Sequence, residues 1–99
     1  MRDPATVRVN IYDECDVDCE VANVSMKAKD QVEWQSTGDA FSIEFESSPF
    51  EQSRFEVPAG GCVSSGPVKD DTPYATFHYM IRNRVDLAKS ADPDVNVKR

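Results

Sequence analysis

Apolar and polar side chains alternate one for one through most of this 99-residue chain. Val7, Val9 and Ile11 interleave with Arg8 and Asn10. Val24, Met26 and Ala28 do so with Ser25 and Lys27, and Val32 and Trp34 with Glu33. Phe41, Ile43 and Phe45 flank Ser42 and Glu44, and Phe77, Tyr79 and Ile81 flank His78 and Met80. Val95 and Val97 repeat the pattern near the end. A two-residue period sends successive side chains to opposite faces of a strand, so each run has one face to bury. Runs this short predict six or seven antiparallel strands sharing a core on one side only. The length suits one domain, 1–99, without linker or repeat.

Turn-forming residues separate the runs. Thr37-Gly38-Asp39 reads as a hairpin between the Trp34 and Phe41 runs. Pro58-Ala59-Gly60-Gly61, Ser64-Ser65-Gly66-Pro67, Asp70-Asp71-Thr72-Pro73 and Asp92-Pro93-Asp94 punctuate the rest. Strands at this spacing predict a β-sandwich or small barrel. Two short segments read as single helical turns: Ser48 to Arg54, with Ser47 or Ser48 capping and Pro49 at the first position, and Val85 to Ala91. Residues 13 to 21 fit an acidic-faced edge strand or a loop.

Eleven Lys and Arg against eighteen Asp and Glu leave a formal charge of −7. That sign excludes a general binder of phosphate backbones, so no nucleic-acid partner is expected. No stretch approaches the roughly 20 apolar residues of a membrane helix, and no membrane partner is expected. Met1-Arg2-Asp3-Pro4-Ala5-Thr6 lacks the apolar region of a signal peptide, which implies a cytoplasmic protein if Met1 is the native start.

Cys15, Cys19 and Cys62 are odd in number, which argues against a disulfide framework and for buried small hydrophobes. With His78 they make four soft or borderline ligands, the number zinc takes. This is the basis of a metal-handling reading on Cys15, Cys19, Cys62 and His78. Against it, Cys15 and Cys19 form the only short pair. Asp13, Glu14, Asp16, Asp18 and Glu20 could offer oxygens to calcium, but no glycine turns the loop. A solvated acidic edge that resists strand pairing is the simpler reading. Catalysis would have to run through His78, and no Gly-x-Ser-x-Gly elbow is present, so the chain reads as non-enzymatic. Neither a Lys-Ser/Thr pair nor a helix follows Gly60-Gly61-Cys62, as a phosphate cradle needs. Trp34, Phe41, Phe45, Phe50, Phe55, Phe77 and Tyr79 read as core; Phe50 and Phe55 would suit a partner if exposed. Arg82, Arg84, Lys89, Lys98 and Arg99 contrast with the acidic run and could orient a partner or a dimer.

Met26 to Trp34, ending in Val32-Glu33-Trp34, resembles a cupredoxin strand, turn and strand, with Lys29-Asp30 where Gly-Asp is usual. Asp39 to Phe45 resembles the segment of the first copper-binding His, and Ala75 to Ile81 the strand that ends in the copper-binding Cys. Asp92 to Val97 is similar to the final strand, and the likeness covers most of residues 22 to 97. The resemblance implies an all-β, Greek-key β-sandwich of about seven strands. Phe41 stands at the first His position and Ile81 at the Cys position, and no His follows Ile81. A blue-copper site needs two imidazoles and a thiolate. The resemblance therefore implies the scaffold with no cofactor, no metal residue and no catalytic residue. Phe41 and Ile81 are expected to lie near each other and fill the vacated volume. The expected function is a non-enzymatic module that binds a protein partner or small ligand through its end loops, as a monomer or weak homodimer.

Overall fold

A computed structural model describes residues 5–12 and 15–99. Among them there are nine strands: β1 (Thr6–Ile11), β2 (Val21–Ser25), β3 (Gln31–Ser36), β4 (Phe41–Phe45), β5 (Arg54–Val57), β6 (Cys62–Pro67), β7 (Thr76–Asn83), β8 (Ser90–Ala91) and β9 (Asp94–Lys98). They form two sheets. One has the order β1-β3-β6; the other has the order β2-β9-β7-β4-β5, with β8 paired to β7. The protein is all-β, and no helix long and apolar enough to cross a membrane occurs among the described residues.

The alternation predicted above carries through. In β3, Val32, Trp34 and Ser36 are buried while Gln31, Glu33 and Gln35 are half-buried; in β7, Tyr79, Ile81 and Asn83 are buried while His78, Met80 and Arg82 are exposed. Strand direction departs from expectation. β1 runs parallel to β3, pairing Val9 with Trp34, and β2 runs parallel to β9, pairing Val24 with Val97. A period of two encodes which face is buried, not the direction of the neighbour, so a parallel pair and an antiparallel pair look alike in sequence. Both parallel pairs are possible because the intervening chain crosses to the opposite sheet and back.

Four local expectations are corrected. Thr37-Gly38-Asp39 is not a hairpin: β3 and β4 lie in different sheets, and the segment arches between them. Ser64-Ser65-Gly66-Pro67 is not a connection but the body of β6. There the Ser65 hydroxyl accepts from Val32 N at 2.8 Å, where the ladder with β3 slips register. Neither 48–54 nor 85–91 is helical. Side chains take the local donors instead: Ser48 Oγ accepts from Phe50 N, and Asn83 Oδ1 accepts from Val85 N and Asp86 N. Such side-chain hydrogen bonds compete with a helical turn. Of the acidic segment, Asp13 and Glu14 lie outside the described residues; the rest is a loop held to β1 by the Ile11–Val17 bridge and by hydrogen bonds between Asp18 and Asn10.

The core lies between the sheets and is aromatic at its centre. Trp34 in β3 is fully buried, with ring centroids 5.0 Å from Phe55, 5.6 Å from Tyr79 and 6.2 Å from Phe45. Phe50 reaches the same cluster edge-on from the β4–β5 loop. Phe50 and Phe55 are 1% and 3% exposed, so neither offers a partner surface. Phe77 is only partly buried, packed against the core from its edge. Edge-to-face and tilted pairs of this kind add about 0.5–1.5 kcal/mol each beyond their buried area.

Phe41 and Ile81 are both fully buried. β4 and β7 pair Ile43 with Ile81 and Phe41 with Asn83, so Phe41 and Ile81 are diagonal neighbours on the inward face. The turn before Trp34 uses Lys29 with φ of +59°, the left-handed region glycine favours. The Asp30 carboxylate behind it is buried and accepts from Ala5 N and Ser25 N, both at 2.9 Å, tying the start of β1 to the end of β2.

Candidate functional site

The outward face of the larger sheet carries the surface chemistry. β7 is its spine: its outward side chains are Thr76, His78, Met80 and Arg82, with Arg84 next in the same parity. β4 contributes Ser42 opposite Arg82 and Glu44 opposite Met80. β5 contributes Arg54 opposite Glu44 and Glu56 opposite Ser42. Leu87 arrives from the β7–β8 loop. Together Ser42, Glu44, Arg54, Met80, Arg82, Arg84 and Leu87 line a cleft of about 220 Å³.

Three guanidiniums face one carboxylate in that lining. Arg54 is fully compensated: it pairs with Glu44 at 2.9 Å and with Glu56 at 2.9 Å. The Glu56 hydrogen bond and the charges of Glu56 and Glu44 hold Arg54 still more firmly protonated than a free arginine. Arg82 and Arg84 differ. No carboxylate of a described residue lies within ion-pair distance of either, and the Arg82 guanidinium rests on the Met80 sulfur at 3.5 Å. Beside them Met80, Val85 and Leu87 are 37%, 75% and 61% exposed. The cleft therefore has positive charge in excess, an apolar rim, and a scaffold of paired strands beneath it.

At the other end of the β7 stripe, His78 points outward as its parity predicts and bonds through Nδ1 to the Asp94 carboxylate of β9. Asp18 is not free for a cation either. It accepts from Asn10 N at 2.9 Å and from Asn10 Nδ2 at 2.8 Å. The Asn10 side chain, then its backbone, lowers the Asp18 pKa below the ordinary carboxyl value.

The four sequence candidates for a metal do not converge. Cys15 lies buried in the loop after β1, Cys19 is half-buried before β2, Cys62 opens β6 exposed, and His78 lies on the outer face of β7. Among the described residues no group of three or more His, Cys, Asp or Glu is placed to hold a metal ion. None of the three thiols is in a disulfide, and only Cys15 is buried as a hydrophobe would be; Cys62 has the outward parity of its strand. Burial, then the Asp18 charge, raises the Cys19 pKa, which suppresses the thiolate a metal would need.

In the sequence Arg82 and Arg84 stand with Lys89, Lys98 and Arg99 as a basic end of the chain. The i, i+2, i+4 spacing of Met80, Arg82 and Arg84 was the available signal that they share one face. Nothing in the sequence near Arg54 announces that β5 will bring it alongside. No protein-family model matches the chain, and no curated protein matches it at a significant level.

Proposed function

We infer that this chain is a copper-free, cupredoxin-like Greek-key module that binds a protein partner or small ligand and carries out no chemistry of its own. Strand order supports the Greek-key reading. The first four strands alternate between the two sheets, β1 and β3 in one and β2 and β4 in the other, and the chain crosses again at β6 after the β4–β5 hairpin. The scaffold reading draws on Phe41 and Ile81, two fully buried side chains on neighbouring strands at the positions where the resemblance expects copper ligands. Fold alone does not assign a role, so the role rests on the surface. The observation that carries it is the pair of exposed apolar side chains Met80 and Leu87 lining one cleft with Arg82 and Arg84. Met and Arg are enriched where proteins meet, and apolar side chains grouped at one place on a charged surface mark a contact site.

The test is affinity capture from source-cell extract with the full chain, followed by reconstitution of the captured partner from purified components, and metal analysis of the purified protein. A stoichiometric, reconstitutable partner and a metal-free protein support the module. A stoichiometric transition metal would return the balance to a metal-handling protein, and failure to reconstitute any complex would end the binding reading.

A further inference from the structure

We propose that the cleft between β4, β5 and β7 docks an acidic polypeptide segment, seating a carboxylate between Arg82 and Arg84 and an adjacent apolar side chain against Met80 and Leu87. The proposal rests on the binding-module reading and names the partner's chemistry.

Charge complementarity identifies the occupant. The chain carries −7 overall, yet this cleft holds two guanidiniums that no described carboxylate satisfies. Arg54 completes the wall but is already spent on Glu44 and Glu56, so the unmet demand sits at Arg82 and Arg84. A guanidinium presents a planar fork of donors that matches a carboxylate. On a chain of net negative charge, a face with two guanidiniums unpaired among the described residues is a favourable approach for an acidic partner.

Size and polarity argue for a segment of a larger molecule over a free small ligand. A cleft of about 220 Å³ falls below the roughly 300–1,000 Å³ that encloses a typical small ligand. It is large enough for one side chain. Leu87 in the lining and Val85, the next residue after Arg84, are both far more exposed than their chemistry favours and give the β7–β8 loop an apolar surface. A polypeptide can use both; a lone anion can use only the arginines. A nucleic-acid strand would meet only two free arginines on a strongly acidic molecule.

The probe is a short capped peptide of alternating Glu and Leu, titrated into the full-length chain and followed by amide chemical shifts. Its Gln-for-Glu counterpart and inorganic phosphate serve as comparisons. Shifts should gather at Ser42, Glu44, Met80, Arg82, Arg84 and Leu87. The Gln peptide should bind about tenfold more weakly, as should the acidic peptide to Arg82→Glu/Arg84→Glu, and added salt should weaken binding. Leu87→Ser should weaken the peptide and leave phosphate unaffected. The substituted side chains Arg82, Arg84 and Leu87 are exposed, so an unchanged thermal midpoint will show that the variants stay folded. Equal affinity for the Gln peptide, shifts centred elsewhere, or phosphate matching the peptide would overturn the proposal. Capture of the reconstituted partner separates the two readings. If Arg82→Glu/Arg84→Glu retains that partner, the module stands and this face is the wrong one; if the wild type has no partner, the module itself fails.

Discussion

The indole N–H of Trp34 donates to the hydroxyl of Tyr79 at 3.2 Å, across the interface between the two sheets. Both residues are buried, Trp34 on β3 of the smaller sheet and Tyr79 on β7 of the larger. A buried indole N–H without a partner costs the desolvation of a donor, so this bond fixes how the two sheets meet as well as how tightly.

Tyr79→Phe keeps the ring and strands the Trp34 N–H. The expected loss is about 1–3 kcal/mol of unfolding free energy, read from urea denaturation. The same burial raises the Tyr79 pKa above that of a free tyrosine. A raised folded-state pKa means the folded state holds its proton longer. The stability contribution is complete below about pH 10 and is lost as pH climbs from there through the folded value. Phenolate absorbance should therefore contain one step that coincides with alkaline unfolding and is missing from Tyr79→Phe. A Tyr79 that ionises reversibly with the fold intact would contradict the buried placement.

Asp30 serves two backbone donors at once, Ala5 N and Ser25 N. Asp30→Ala leaves both without their acceptor, and the expected cost is about 2–4 kcal/mol. Asp30→Asn keeps one acceptor oxygen and should fall between the two. Equal midpoints for wild type and Asp30→Ala in chemical denaturation would show that the carboxylate contributes nothing.

Lys29 occupies left-handed backbone and also pairs with Asp70 at 2.6 Å on the surface. Comparing two variants removes the ion pair from the question, since Lys29→Gly and Lys29→Ala both lack it. Glycine accepts the positive φ without steric cost, so Lys29→Gly should be the more stable by about 1 kcal/mol. Thermal unfolding of the two variants side by side measures it. The reverse order would mean that the turn relaxes to an ordinary φ.

Asp18 is held ionised below its ordinary range, first by the Asn10 side chain and then by the Asn10 backbone. A lowered folded-state pKa contributes stability above the unfolded value of about 3.9, and that stability is lost as pH falls through the folded value. Asn10→Ala removes the larger cause. The Asp18 carboxyl midpoint, followed by NMR, should then rise toward the ordinary value, and the acid side of the stability profile should flatten. An unmoved midpoint would assign the shift to the backbone alone.

Alternation in the amino-acid string determined that the protein is all-β and which side chains go inward. Trp34, Phe41, Tyr79 and Ile81 are buried where period two puts them, and His78, Met80 and Arg82 are exposed. It also left a trace of the candidate site, because Met80, Arg82 and Arg84 share a parity. Only the tertiary structure decided the parallel pairs β1–β3 and β2–β9, the arch at Thr37-Gly38-Asp39 in place of a hairpin, and the meeting of Arg54 and Leu87 with that stripe. The reason is that a side chain's face is set by its own backbone, two residues at a time. Its strand's neighbour is set by which arrangement of all the strands closes one shared core, and no local pattern carries that information.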